Sequence, residues 1–254
     1  DNVTVSPHLG ANTFESQYNI GTQAATNAIE AAKGISYAHA MNLPIDESKI
    51  PAFVKPFLEM GQKIGFLESQ INKSQIIAIK VSGQGEISQY VDSLATFVAV
   101  GAMSQASDDT INYVNADFVA KEKGIKIESE ALTDSKVFKN LITVKLTTAE
   151  GTTSISATIF DDGIKRIVAL DGFDIEVALK GNMILFKNND VPGVIGNIGS
   201  TLAKNNVNIA DFSLARNNES EALAIILVDD TVNEVTLNEL ASLDACISVN
   251  YAKI

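Results

Sequence analysis

Residues 182 to 216, NMILFKNNDVPGVIGNIGSTLAKNNVNIADFSLAR, constrain the fold more than any other stretch of the chain. The apolar run Met183 to Phe186 stops at a polar turn. Pro192 and Gly193 then open a segment with apolar residues at Val194, Ile195, Ile198 and Leu202, and Asn205 to Asn208 lead into a second alternating run, Ile209 to Leu214. The pattern is strand, helix, strand. Pro192 fits the first helical turn, where its missing N–H is no loss. That places Asp190 or Val191 near the cap, and the Asp190 carboxylate suits the positive helix end. Gly193, Gly196 and Gly199 recur every third residue and lay a strip without side chains along one helix face. Such a strip either packs tightly against the sheet or admits a small ligand or a partner subunit. The spacing is not that of a dinucleotide fingerprint.

The tail completes a compact unit. Glu221 to Val228 reads as a strand from its unbroken apolar run, Asn233 to Leu240 as a short helix, and Ala245 to Tyr251 as a final alternating strand. The order is βαββαβ, a ferredoxin-like sandwich of one sheet and two helices. Residues 182 to 254 resemble an ACT domain, the small effector-binding module of amino-acid metabolism, through the N-x-D-x-P-G-V-I pattern of Asn188 to Ile195 and the V-N-I of Val207 to Ile209. The resemblance implies L-serine as effector, held at a subunit interface by Asn188, Asp190 and Asn208, with the backbone of Val191 and Gly193 nearby. The chemistry suits that role: a carboxylate accepts an ammonium, asparagine serves carboxylate and hydroxyl, and a helix N-terminus offers free N–H groups.

Composition narrows the classes. A chain of 254 residues with 46% apolar content can build more than one core. Its net charge of -12 repels nucleic acid and anionic membranes, so neither is expected as a partner. Cys246, the single cysteine, falls in a strand expected to be buried, which gives no disulfide framework and no metal site. No apolar stretch is long enough to span a bilayer and no leader pattern opens the chain. A reducing cytoplasm is the expected compartment.

The chain opens without Met on a strand pattern, Asn2 to Ser6, and reads as a piece whose N-terminal part has been removed. A helix pattern follows from about Thr13 to Lys33, stopped by Gly34, with Ile20, Ala24, Ala28 and Ala31 on a small-residue face. Between them Ser6 to Thr13, SPHLGANT, resembles the P-H-L-G-A-x-T segment of D-2-hydroxyacid dehydrogenases. That resemblance implies His8 as general acid and base, since an imidazole exchanges protons near neutral pH, and places Gly10 at an NAD cofactor. Hydride transfer requires a nucleotide-binding fold to hold the nicotinamide. These residues alone are therefore expected to be catalytically inactive.

In the middle section Pro44, Pro51 and Pro56 cluster before a helix running to about Ile71, and Pro56 requires a kink or a late start. Ile76 to Ser82 reads as a strand, Tyr90 to Met103 as a buried helix, and Asn112 to Lys123 as a loop and short helix ended by Gly124. From Ile125 the period becomes twofold: Ile125 to Ser129, Leu141 to Thr148, Thr153 to Phe160, Arg166 to Leu170 and Ile175 to Leu179 form short strands in a mostly antiparallel sheet. The segments INYVNADFVAKEKGI, NLITVKLTT and RIVALDGF resemble the intervening domain of long-type D-3-phosphoglycerate dehydrogenases.

The whole reads as α+β, with a dehydrogenase remnant over 1–38, an intervening domain over 39–180 and an ACT domain over 181–254. Lys165 and Arg166 mark a candidate anion site, since members with this domain bind anions near the corresponding turn. A homo-oligomer is expected, joined through the ACT or intervening domains, with Glu221 to Val228 or the Gly193 to Gly199 helix as pairing elements. The competing class is a stand-alone ACT-type binding or assembly module without an enzymatic parent. His8 and its flanks discriminate, because a binding module has no use for part of a dehydrogenase domain.

Overall fold

The computed structural model describes residues 2–5, 7, 9–32, 50–105, 111–132, 137–217 and 220–254. The chain divides into two compact units, Asp1–Lys49 and Ile50–Ile254. In the first, helix α1 (Phe14–Ala32) starts where Thr13 Oγ1 accepts from the Ser16 N–H at 3.1 Å, and none of its residues is buried. The strand expected at Asn2 to Ser6 is not formed over residues 2–5, which are irregular, with Val3 and Val5 87% and 89% exposed. An isolated strand has neither ladder partners nor a core, and no described residue supplies either. His8, Gly34 and Pro44 lie outside the described residues.

The second unit contains two sheets. Helix α2 (Val54–Ile71) starts late, so that Pro56 falls in its first turn, as the proline requires. Strand β1 (Ile76–Gly85), a 3₁₀ turn (Glu86–Tyr90), helix α3 (Val91–Met103), helix α4 (Ala116–Glu122) and strands β2 (Lys126–Leu132), β3 (Asn140–Thr148), β4 (Gly151–Ile159), β5 (Lys165–Leu170) and β6 (Phe173–Ala178) follow. They form a six-stranded sheet of order β2-β1-β3-β4-β5-β6, antiparallel except for β1 with β2. Helices α3 and α4 lie between β1 and β2 in the sequence and make that parallel return possible.

Helices α2 and α3 meet backbone to backbone. A Cβ at Gly65 would stand 2.2 Å from the Val98 carbonyl oxygen, and one at Gly101 would stand 2.0 Å from that of Gln62. Only residues without a side chain permit this approach, and it leaves every α3 residue except Asp92 buried. Glu68, on the same helix α2, is also fully buried, and neither carboxyl oxygen has a hydrogen-bond partner among the described residues.

The tail forms β7 (Asn182–Asn189), α5 (Val194–Lys204), β8 (Ile209–Arg216), β9 (Glu221–Val228), α6 (Glu234–Ala241) and β10 (Cys246–Lys253). Its antiparallel sheet has the order β10-β7-β9-β8. On one face Phe186, Ile226, Ile198, Leu202 and Leu240 form the core beneath α5 and α6. Strands β7 and β9 are covered on their second face as well, which is why their apolar runs do not alternate. That burial also corrects one expectation: Glu221 to Val228 is hydrogen-bonded on both sides, by β7 and β8, and cannot pair with another chain. Cys246 is half-buried in edge strand β10, less enclosed than its apolar neighbours led one to expect.

The two sheets meet through specific polar contacts. The Gln70 amide donates to the Lys253 carbonyl at 3.1 Å and accepts from the Lys253 N–H at 2.9 Å, continuing the β10 edge onto α2. Ser213 Oγ donates to the Glu176 carbonyl at 2.8 Å, joining β8 to β6.

Gly65→Ala is expected to lower stability by about 1–3 kcal/mol by forcing α2 and α3 apart. Gly196→Ala, whose Cβ meets nothing within 4 Å, should raise it by about 0.5–1 kcal/mol. Urea denaturation of the two variants checks both signs. Burial holds the Glu68 carboxyl well above its ordinary value of 4.5, with the charge of Asp171 adding to the effect. A carboxyl raised in the folded state contributes stability that is complete below the unfolded value and is lost as pH rises through the folded one. Glu68→Gln should therefore match the parent in acid and exceed its stability increasingly as pH rises, read as diverging urea midpoints.

Candidate functional site

The turn between β7 and α5 builds a concavity of about 330 Å³ lined by Asn188, Asp190 to Gly196, Ile198, Leu214 and Arg216. Register explains the meeting. Asn188 pairs with Ala222 on β9, and Ala222 pairs with Arg216 on β8, so the ends of β7 and β8 share one row across the sheet. At the mouth Asp190 Oδ2 lies 2.9 Å from Arg216 Nε. The Asp190 N–H donates to the Ser220 carbonyl at 3.2 Å and that of Val191 to the Asn189 carbonyl at 2.8 Å, which fixes the turn.

Helix α5 begins two residues later than Pro192 suggests. Gly193, at φ 94°, takes the position before the helix, and no side chain caps it. Asp190 therefore does not cap the helix; its carboxylate turns to Arg216 instead. The glycine strip is also open: a Cβ at Gly193, Gly196 or Gly199 would meet nothing within 4 Å, so the strip does not pack against the sheet. It runs beside exposed Val191 and Ile195.

Four expected residues thus come together, Asn188, Asp190, Val191 and Gly193, with unequal roles. Asn188 is 1% exposed, and its Nδ2 donates to the carbonyls of Ala222 at 3.2 Å and Phe186 at 3.4 Å. It is a strut between β7 and β9. Asn208 is not in the concavity. It precedes β8 at the opposite end of the sheet, where its Nδ2 donates to Asp229 Oδ2 at 2.6 Å. Six residues of β9 separate the two rows, roughly 20 Å at about 3.3 Å per residue. Arg216 is the residue sequence reasoning missed. Its signal was only its position at the end of the second strand pattern, and the register across β9 was needed to bring it to Asp190.

The other candidates fare differently. Arg166 donates to both Asp162 oxygens, at 3.0 and 2.7 Å, approaches Glu176 at 3.2 Å and lies over the Phe160 ring at 4.9 Å. Hydrogen bonding to Arg166 and to the Ile164 N–H holds the Asp162 carboxyl below its usual range. Lys165 pairs with Glu59 at 2.8 Å. Both basic groups are neutralised within the chain, which argues against the anion site expected there. Gly10 lies in an exposed turn, and a Cβ there would meet nothing within 4 Å. Among the described residues no cluster of three His, Cys, Asp or Glu side chains could hold a metal ion, and no helix is long and apolar enough to cross a membrane.

Residues 53–171 match the D-3-phosphoglycerate dehydrogenase intervening domain and residues 182–245 match the ACT domain. The chain joins an intervening domain of D-3-phosphoglycerate dehydrogenase to an ACT domain. It is 32% identical to the D-3-phosphoglycerate dehydrogenase of Bacillus subtilis over 97% of its own length and 47% of the relative's. With that of Archaeoglobus fulgidus the figures are 30%, 100% and 49%, and with that of Synechocystis 31%, 94% and 44%. The chain thus spans about half the length of these curated relatives, matching their C-terminal part.

A strut and a surface ion pair differ in what their loss costs. Asn188→Ala should lower stability by about 1–3 kcal/mol, because it leaves the buried Ala222 carbonyl without its side-chain partner. Asp190→Ala, at an exposed pair, should change it by less than about 1 kcal/mol. Denaturation midpoints of the two variants separate the roles.

Proposed function

We propose that this chain is the regulatory portion of a D-3-phosphoglycerate dehydrogenase, the oxidation of 3-phosphoglycerate to 3-phosphohydroxypyruvate with NAD that opens L-serine synthesis in the cytoplasm. Similarity to the C-terminal halves of three such enzymes supports the parent activity. The parent supplies the nucleotide-binding fold, with His8 as its acid and base. These 254 residues by themselves are expected to turn over no substrate.

The effector is L-serine, and the observation that carries this reading is the Asp190–Arg216 pair beside an uncapped helix start. A zwitterion presents the complementary pair of charges: its ammonium to Asp190, its carboxylate to the guanidinium and to the N–H groups of the first turn of α5. Arg216 uses Nε toward Asp190, leaving the rest of its donor fork for a carboxylate. Asn208 lies too far along the sheet to serve the same ligand within one chain, so its role in binding requires the Asn208 of a second copy. The exposed glycine strip gives that copy a face on which backbones can approach closely.

Calorimetric titration of L-serine into the protein tests the reading. Saturable heat is expected, weakened at least tenfold in Asp190→Ala and in Arg216→Ala, and weakened in Asn208→Ala only if copies associate. Absence of binding in the parent protein would leave the ACT domain an assembly module.

A further inference from the structure

Between the two sheets of the second unit lies another cavity, of about 150 Å³, which shares no residue with the concavity at Asp190. The six-stranded sheet and its helix supply Asn72, Thr153 and Asp171 to its wall, and the four-stranded sheet supplies Lys187, Ser248 and Asn250. Its floor is apolar: Leu170, Phe173, Leu185 and Leu223 are each at most 4% exposed. Apolar walls with a few convergent polar groups are the usual make-up of a small-molecule site.

The charges in this cavity do not balance. Lys187 is already matched, with its Nζ 2.8 Å from Glu221 Oε2 and 6.0 Å from the Phe173 ring centroid. Asp171 has no such partner. Its Oδ1 accepts from the Ser154 N–H at 2.7 Å, and among the described residues it enters no salt bridge. Although the residue as a whole reaches solvent, packing around the carboxyl raises its pKa above the usual range, against the Ser154 hydrogen bond and the pull of Lys187. The turn that presents it is a two-residue Asp-Gly hairpin loop between β5 and β6, with Asp171 at φ 47° and Gly172 at φ 84°, the conformation such loops favour.

Glu68 supplies the independent observation. It stands three and four residues before the lining residues Ile71 and Asn72, hence on the same face of α2, one turn deeper. It is fully buried and neither oxygen has a partner. Buried carboxyls without donors are rare because each costs its full desolvation. One carboxyl stands open to the cavity without a salt bridge and another is buried unpartnered on the adjoining face of α2, while Lys187, the one cation among the lining residues, is already paired with Glu221.

We propose that this cavity is a second ligand site, for a small molecule carrying a primary ammonium group, with an α-amino acid no larger than serine as the class that fits. The ammonium binds at Asp171, and the neutral donors of Asn250 and Ser248 meet the opposite, carboxylate end, with the second amide proton of Asn72, whose Nδ2 also donates to Thr153 Oγ1 at 2.6 Å, beside them. The volume admits only a few non-hydrogen atoms. Because the walls belong to both sheets, occupancy holds the two sheets together, and anything that separates them weakens binding by the same factor. The site does not depend on the effector reading of Asp190.

The test uses the full 254-residue protein carrying Asp190→Ala, which weakens the other site, titrated calorimetrically with glycine and with L-serine. Binding of at least one of them near one molecule per chain is expected. Adding Asp171→Asn, which keeps the acceptor for Ser154, should weaken it at least tenfold, and adding Asn250→Leu, which fills the cavity without touching that hydrogen bond, should do the same. Circular dichroism identifies any variant that fails to fold, in which case the other decides. No binding of either amino acid to the Asp190→Ala protein, or binding unchanged in a folded cavity variant, overturns the proposal. Loss of serine binding in Asp190→Ala alone would leave the effector reading intact while removing this one.

Discussion

The contact on which the rest of the second unit depends is the crossing of α2 and α3 at Gly65 and Gly101, where backbone meets backbone. A side chain at either position would push the helices apart by more than the packed interior can absorb. With α2 held there, its C-terminal end projects past the six-stranded sheet and carries Gln70 to the edge of β10, Asn72 to the intersheet cavity and Glu68 beneath it. The geometry of the junction is thus set by two residues that touch no part of it.

The same junction governs how the second sheet can meet another chain. Both of its edge strands are engaged from within, β10 by the Gln70 amide and β8 by the Ser213 bond to β6. Natural sheets commonly protect their edges in this way. What stays open is the glycine strip of α5 with Val191 and Ile195 beside it, next to the Asp190–Arg216 mouth. The open glycine strip and the charge pair at the start of α5 lie together on one surface, so the proposed ligand binding and the proposed association of copies would draw on the same few residues.

Much of this was legible in the sequence where a local rule acts without tertiary competition. Asn233 caps α6 by accepting from the Thr236 N–H, Gly124 ends α4 at φ 69°, and the unbroken run at Glu221 to Val228 marks a strand covered on both faces. The failures share a cause. Pro192 satisfied the rule for a helix start, but the turn set by Asp190 and Val191 placed Gly193 there instead. Asn188 and Asn208 carry equivalent amides in the sequence, yet register makes one a buried strut and sends the other to the far end of the sheet. Gly65 and Gly101 look like ordinary helix glycines until the helices cross, and Asn2 to Ser6 alternates like a strand but residues 2–5 pair with none of the described residues. Local pattern specifies elements; register and crossing decide which side chains meet.

The proposals that the turn at residues 188–196 holds an effector and that the intersheet cavity holds a second amino acid are tested together by hydrogen–deuterium exchange with and without saturating L-serine. Slower exchange at residues 188–196 is predicted, accompanied by slower exchange at the end of α2 and along β10, where Gln70 and Lys253 meet. Protection confined to residues 188–196 would contradict coupling through the junction, and exchange unchanged throughout would contradict the sensor itself.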